Sequence, residues 1–425
     1  MKDSGIEWIG EIPEEWKTIK FNALYDLRNQ KVSDRDFPPL SVTKNGIVPQ
    51  LSSAAKTNDG DNRKLVKVGD FAINSRSDRR GSCGISKYEG SVSLINTVLR
   101  PINNEMNPDY YNLLFHTFEF ADEFYKWGHG IVDDLWTTNW QDMKNITLVY
   151  PSKKEQDSIA RVLNKKVKQI DQTAQTIQQE IDALEEYRKS LITETVTKGL
   201  DKTVPMKDSG IEWIGEIPEN WKLEKLKFLG TVRNGLTYSP EDLSDDGTLV
   251  LRSSNIKKGK VYDADNVYVN MFVPQNLILK ENDLLICSRN GSAKLIGKNA
   301  LINEKYAGSS FGAFMAVFRS KYNEYIHYVL NSNIFDYYIG SFLTSTINQL
   351  TNRNLLNLSI PFPASKTERQ QIISFLKKKC SMIDFIIDKK KEQISCLTQY
   401  KQSIVYEYVT GKKQVSEKEG VKNAQ

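Results

Sequence analysis

Two short loops hold the side chains of this chain best suited to binding chemistry. Arg76-Ser-Asp-Arg79-Arg80-Gly-Ser82 and Arg289-Asn290-Gly-Ser-Ala-Lys294 are both basic and rich in Ser, Gly or Asn. Each follows a short apolar run (Asp70 to Ser75, Asp283 to Ser288), so each reads as a polar loop at a strand end. Lys and Arg contact phosphates, and an Arg fork matches guanine O6 and N7, so this chemistry suits DNA. Thr43, Lys44 and Asn45, with Ser41, form a further candidate patch in the first half. Arg252, Ser254, Asn255 and Lys257, with Ser253 and Lys258, form another in the second. Taken singly, each is an ordinary solvated loop residue. The recurrence of the loop is what favours a nucleic-acid surface.

Residues that would carry a reaction are missing. Asn107-Pro-Asp-Tyr110 is close to the N-P-P-Tyr/Phe motif of amino-methyltransferases, but Asp109 replaces the second proline and no glycine-rich cofactor loop precedes it. Gly291 to Asn299 brushes against a P-loop with one residue too many, and Asn299 stands where Mg²⁺ would want Ser or Thr. His116, His129 and His327 have no metal-ligand spacing. Trp8, Trp16, Trp213 and Trp221 are expected to pack the segments that carry them.

The elements that must position the loops are duplicated. Met1–Lys17 recurs as Met206–Lys222 with one change, Glu15 to Asn220. Farther on, Glu155-Gln-Asp-Ser-Ile159 is mirrored by Glu368-Arg-Gln-Gln-Ile372, Ile170-Asp171 by Ile383-Asp384, and Tyr187-Arg-Lys-Ser190 by Tyr400-Lys-Gln-Ser403. Val196-Thr197 and Val409-Thr410 close the two copies. The stretches between these markers resemble each other only in scattered places: the frame is repeated and the content has diverged. Short apolar runs broken by turn residues predict β-strands there, with helices near Tyr110–Phe120 and Tyr325–Tyr338.

Each copy ends in a long heptad segment. Leu163, Ile170, Ile177, Leu184 and Leu191 form one row, with Val167, Ala174 and Ile181 in the other. The second copy places Leu376, Ile383, Leu397 and Ile404 in one row and Ile373, Cys380, Ile387 and Ile394 in the other. Lys390 interrupts the first row, and Arg188 and Lys401 take matching places in theirs. Glu155 to Lys198 would span about 66 Å at ~1.5 Å per residue. Strict seven-residue spacing favours a helix–helix seam over packing of each helix on its own globule, and the natural partner is the duplicate. The expected architecture is α+β: two globular mixed α/β domains separated by a long antiparallel two-helix coiled coil, with an internal pseudo-two-fold repeat.

Bulk features add limits. The chain has 425 residues and a net charge of +5. The two long segments carry nine basic against eight acidic and eleven against five, so the 58 basic and 53 acidic residues leave 38 and 40 elsewhere. DNA binding by the globes must therefore come from local patches. No apolar run reaches the ~18–20 residues of a membrane span, and Lys2, Asp3 and Glu7 deny the N-terminus a signal peptide's apolar core. Cys83, Cys287, Cys380 and Cys396 lack disulfide-framework spacing, which fits a reduced, cytoplasmic setting.

The twice-present D-S-G-I-E-W-I-G-E-I-P-E-x-W resembles the opening of target-recognition domains in the specificity subunit of Type I restriction–modification systems. The exits Ile360-Pro-Phe-Pro-Ala and Leu148-Val-Tyr-Pro151, each leading into a long helix, and Leu251-Arg-Ser-Ser-Asn-Ile256 are similar too. The match covers roughly residues 1–413 in that family's order. It implies a first target-recognition domain over 1–152, a first spacer helix over 153–199, a linker and second domain over 200–363, a second spacer helix over 364–412 and a charged tail over 413–425. It further implies a subunit without catalysis or cofactor of its own, reading a bipartite, asymmetric site in double-stranded DNA. The implied partners are two modification subunits, which use S-adenosylmethionine to methylate adenine, and restriction subunits, which use ATP and Mg²⁺ and cut. The rival readings are a coiled-coil scaffold binding only proteins, and a stand-alone nuclease or methyltransferase.

Overall fold

The computed structural model describes residues 1–52, 60–76, 79–130, 136–341 and 348–416. The chain divides into two compact units, Met1–Ile177 with Glu392–Gln425 and Gln178–Lys391.

In the first unit the opening segment folds as a small antiparallel pair, Lys2–Asp3 with Glu11–Ile12, and leads into Lys17–Lys20. That strand pairs antiparallel with the exit strand Thr147–Tyr150, with Lys17 opposite Tyr150, so the globe is closed where it begins and ends. Between them lies an antiparallel sheet in the order Cys83–Ile85, Phe71–Asn74, Asn96–Pro101, Tyr25–Leu27. Helices Pro108–Phe115 and Phe118–Lys126 pack on it. Asn107-Pro-Asp-Tyr is a helix start: the Asn107 side chain accepts from the Tyr110 amide at 2.9 Å and Pro108 takes the first helical position. The core is aromatic, with Phe71 and Phe115 ring centres 4.4 Å apart.

The second unit repeats this frame. Met206–Asp208 pairs Glu216–Pro218, and Trp221–Lys225 pairs Ser359–Pro363. The central sheet runs Asn299–Leu301, Leu284–Cys287, Met315–Arg319, Thr231–Asn234, the same order as in the first unit. Asp70 and Asp283 are buried at matching turns. Each accepts a backbone amide three residues back, and each pairs an arginine of a neighbouring strand or its end: Arg28 at 2.6 Å, Arg319 at 3.0 Å. What differs is the second layer. The first unit has the three-stranded sheet Gly90–Val92, Arg63–Val66, Lys31–Val32 and a hairpin Leu40–Thr43/Gly46–Pro49. The second has Leu243–Ser244, Val267–Val269, Thr248–Leu251 and, parallel to the last, Ser310–Phe311.

The long helices are Lys153–Lys198 and Lys366–Val409. Ser152 and Glu155 cap the first reciprocally, the Ser152 amide donating to Glu155 at 3.1 Å. Ser365 accepts from the Glu368 amide in the second. Gly199 (φ 73°) and Gly411 (φ 76°) end them in the left-handed region, where a side chain would be strained. Each unit takes the start of one helix and the end of the other, antiparallel. In the first, Lys166 lies over Tyr408 and Asp171 pairs Lys401. In the second, Glu180 pairs Lys390 and Arg188 pairs Asp384. Every row position is covered: Leu163, Leu376, Ile383 and Ile404 are buried, and Ile170, Ile177, Leu184, Leu191 and Leu397 half-buried.

Leu163 belongs to the core of the first globe and Leu376 to that of the second, so the helix ends are parts of the globes as well as of a seam. The tail beyond 416 lies outside the described residues. Trp16 and Trp221 are buried as expected, and their indoles donate to Glu155 at 2.9 Å and Glu368 at 2.8 Å. Trp8 rests edge-on against Phe120, with the Tyr406 hydroxyl donating to its carbonyl, but Trp213 is 39% exposed. The place of Tyr406 is taken in the second unit by Thr193, a smaller side chain turned to the Asn333 amide.

Candidate nucleic-acid interface

The strand Leu284–Cys287 ends in Ser288 and Arg289, and both amides donate to the Phe314 carbonyl at 3.0 Å. That carbonyl belongs to the turn before the partner strand Met315–Arg319. The Arg289 guanidinium lies 5.4 Å from the Phe314 ring centre, a cation–π contact that holds it against the turn while the residue stays exposed. Arg289 lines two clefts. One, of about 600 Å³, is shared with Arg252, Ser253, Ser254, Asn290 and Tyr238. The other, of about 490 Å³, is shared with Asn234, Gln349, Asn352 and Arg353.

Thus two loops far apart in sequence converge. Asn290 Nδ2 donates to Ser253 Oγ at 3.2 Å, and Lys298 Nζ to the Ser253 carbonyl at 3.1 Å, with burial lowering the ammonium's pKa. Arg252 reaches back to the Asp265 carbonyl at 2.6 Å and is half-buried at the cleft wall. Lys257 is exposed beside Tyr262, and Lys294 is exposed and lines a different cleft, with Arg188 and Lys258. Asn255 is a correction. It is fully buried, its Oδ1 accepting from the Arg252 amide at 2.9 Å and its Nδ2 donating to the Ala264 carbonyl at 2.7 Å. It shapes the loop and presents nothing to a ligand.

In the first unit Arg76 is exposed at the corresponding strand end, its amide held by Asn74 Oδ1 at 3.0 Å and its carbonyl by the Tyr125 hydroxyl at 2.9 Å. Arg79 is exposed in the turn that follows. Arg80 is paired with Asp122 and lies 5.3 Å from the Phe118 ring centre, so its guanidinium is tied to a helix of the same globe. Thr43 closes its hairpin turn by donating to the Gly46 carbonyl at 2.8 Å, leaving Lys44 and Asn45 exposed at the tip.

Gln349, Asn352 and Arg353, and Thr137 at the matching place, escape a reading of basic loops. Thr137 bridges Arg76 as Gln349 bridges Arg289. Their one visible signal is the recurring pair Thr138-Asn139 and Thr351-Asn352. Among the described residues no cluster of His, Cys, Asp and Glu could hold a metal ion. None of the described helices is long and apolar enough to cross a membrane.

Known proteins share this arrangement. A family model described as the Type I restriction modification DNA specificity domain matches residues 13–183 and again 218–395. The chain is similar to the Type I restriction enzyme MjaVIII specificity subunit of Methanocaldococcus jannaschii, 24% identical over 94% of this chain and 93% of that one. It is similar as well to the putative type I restriction enzyme MjaX specificity subunit of the same organism, 22% identical over 95% of each. A solved structure described as the structural basis underlying complex assembly and conformational transition of the type I R-M system has the same fold. It aligns with a TM-score of 0.68 at 13% identity over 94% of this chain and 98% of that one. A specificity domain matched twice, once on each repeated frame and together over most of the chain, identifies it: this protein belongs to the family of Type I restriction–modification DNA specificity subunits.

Proposed function

We propose that each unit reads one half of a bipartite, asymmetric DNA site, and that the helix pair sets the unspecified gap between halves. The observation that carries this reading is one frame holding two unlike surfaces. Sheet order, strand-end arginine and caps recur, while the second layers and loops differ. Two identical readers related by a two-fold axis would demand a palindrome; unlike loops on like frames free each half to have its own sequence. Phosphate contacts would place each globe, and Arg76, Arg289 and their polar neighbours would read base edges.

In this reading the chain contributes no catalytic group. S-adenosylmethionine, ATP and Mg²⁺ belong to its partners: two modification subunits that methylate adenine, and restriction subunits that cut. The complex works in the cytoplasm.

The test removes one facing heptad from each helix, residues 171–177 and 395–401. This should shorten the spacer by about 10 Å, or roughly three base pairs. Methylome sequencing should then show both half-sites intact with a shorter gap. An unchanged gap in an active complex would reject the spacer role.

A further inference from the structure

The turn that precedes the third strand of each frame carries a large apolar side chain in the open. In the second unit it is Phe314, 60% exposed; in the first it is Ile95, 39% exposed, with Leu94 beside it at 39%. The two positions correspond strictly. Asn96 faces Asn74 in one sheet and Met315 faces Cys287 in the other, so Ile95 and Phe314 are the residues just before matched strand starts. The hydrogen bonds agree: the Ser75 amide donates to the Ile95 carbonyl at 3.3 Å, and the Ser288 amide to the Phe314 carbonyl at 3.0 Å. Each tip therefore stands beside a strand-end arginine, Arg76 or Arg289, and beside the bridging Thr137 or Gln349.

A single exposed apolar residue needs no explanation. A pair at the same point of two frames does, because these loops have otherwise diverged, and the side chains differ in type while both stay large, apolar and exposed. The surroundings settle the kind of ligand. Phe314 lies between two clefts lined by Arg252, Arg289, Asn290, Gln349 and Arg353. A protein partner seeking an apolar anchor would meet three arginines there, Arg252, Arg289 and Arg353, against the single carboxylate of Asp265. A nucleic acid offers anionic phosphates for the cations and a stacked apolar interior for the ring.

We infer that Phe314 and Ile95 are wedges, each entering a base step of its own half-site and partly unstacking it while the adjacent arginine holds the flanking phosphate or base edge. Inserted apolar side chains kink duplexes in this way, and the energy of unstacking depends on the step, least for pyrimidine–purine steps. The wedges thus add selectivity for a deformable step at positions with no hydrogen-bonded base readout. The inference rests on the half-site reading above.

The experiment uses the full chain assembled with its modification subunits, and the site found by methylome sequencing. A fluorescent adenine analogue, quenched by stacking, is placed in turn through each half-site, leaving out the adenine that becomes methylated. The wild-type complex should raise emission several-fold at one step in each half. Phe314→Ala should abolish the rise in one half only and Ile95→Ala in the other. Phe314→Leu, which keeps a wedge, should retain most of the rise. Binding by the alanine variants should weaken about tenfold, or ~1.4 kcal/mol. No rise anywhere with bound wild-type complex overturns the inference. So does a rise that persists in the alanine variants, or an affinity loss without any emission change, which would mean apolar contact with a thymine methyl. A wild-type complex that binds the site no better than random DNA would instead overturn the half-site reading.

Discussion

Arg188 Nε lies 3.1 Å from Asp384 Oδ1, and the same pair recurs in the other unit as Lys401 with Asp171, 2.7 Å apart. Arg188 and Lys401 hold matching places in the heptad rows where an apolar residue belongs, and Asp171 and Asp384 are matching too. The duplication thus preserved an ion pair inside the seam. Charged groups at such positions cost stability against an apolar pair but fix register. Arg188 and Asp384 keep only 21% and 13% of their side-chain surface in water. Removing one partner strands the other, so Arg188→Ala should destabilise the second unit by about 1–3 kcal/mol. Replacing both with leucine should restore most of that loss. Urea unfolding of the two variants measures it; equal losses in both would show that packing, not charge, matters there.

The buried indoles of Trp16 and Trp221 donate to the first-turn glutamates of the two long helices. Bonds to a charged acceptor contribute roughly 1.5–3 kcal/mol. Glu368→Ala leaves the Trp221 N–H without its partner and removes a helix-start carboxylate, so the second unit should melt several degrees earlier. Glu155→Ala should do the same to the first. Differential scanning calorimetry resolves the two if they unfold separately, and one variant should move one transition.

Arg289→Ala should weaken recognition of one half-site and Arg76→Ala that of the other, each by about 1–3 kcal/mol if the guanidinium reads a base. Competition between the specific site and a scrambled half-site is the measurement. Equal loss on specific and random DNA would make these residues phosphate contacts.

His327 is held near a pKa of about 4, well below its ordinary 6.5, chiefly by burial and secondarily by the Arg188 charge. The folded value is the lower one, so the unfolded chain binds the proton first. Stability is complete above about pH 6.5 and declines as pH falls towards 4. Between pH 7 and 5 the second unit should lose about 1–2 kcal/mol, and His327→Asn should flatten that slope. The flattening should appear in urea midpoints taken across the interval.

Repetition and periodicity are legible in the residue order alone. They set the two frames, the two helices and their antiparallel pairing, because near-identical segments must fold alike and a heptad row must be covered. The loops around Arg76 and Arg289 are legible as basic turns at strand ends. What the residues around them do is not. Asn255 reads as a solvent-facing hydrogen bonder, yet it is sealed inside its loop by the Arg252 amide and the Ala264 carbonyl. Arg80 reads as a free cation, yet Asp122, on a helix well beyond its own loop, claims it. Phe314, Gln349 and Arg353 carry no local sign of belonging beside Arg289. The sequence by itself determined elements and their repetition, since these follow from local propensity and spacing. Only tertiary structure decided which side chains face water, because burial and pairing depend on segments tens of residues apart meeting at one sheet end.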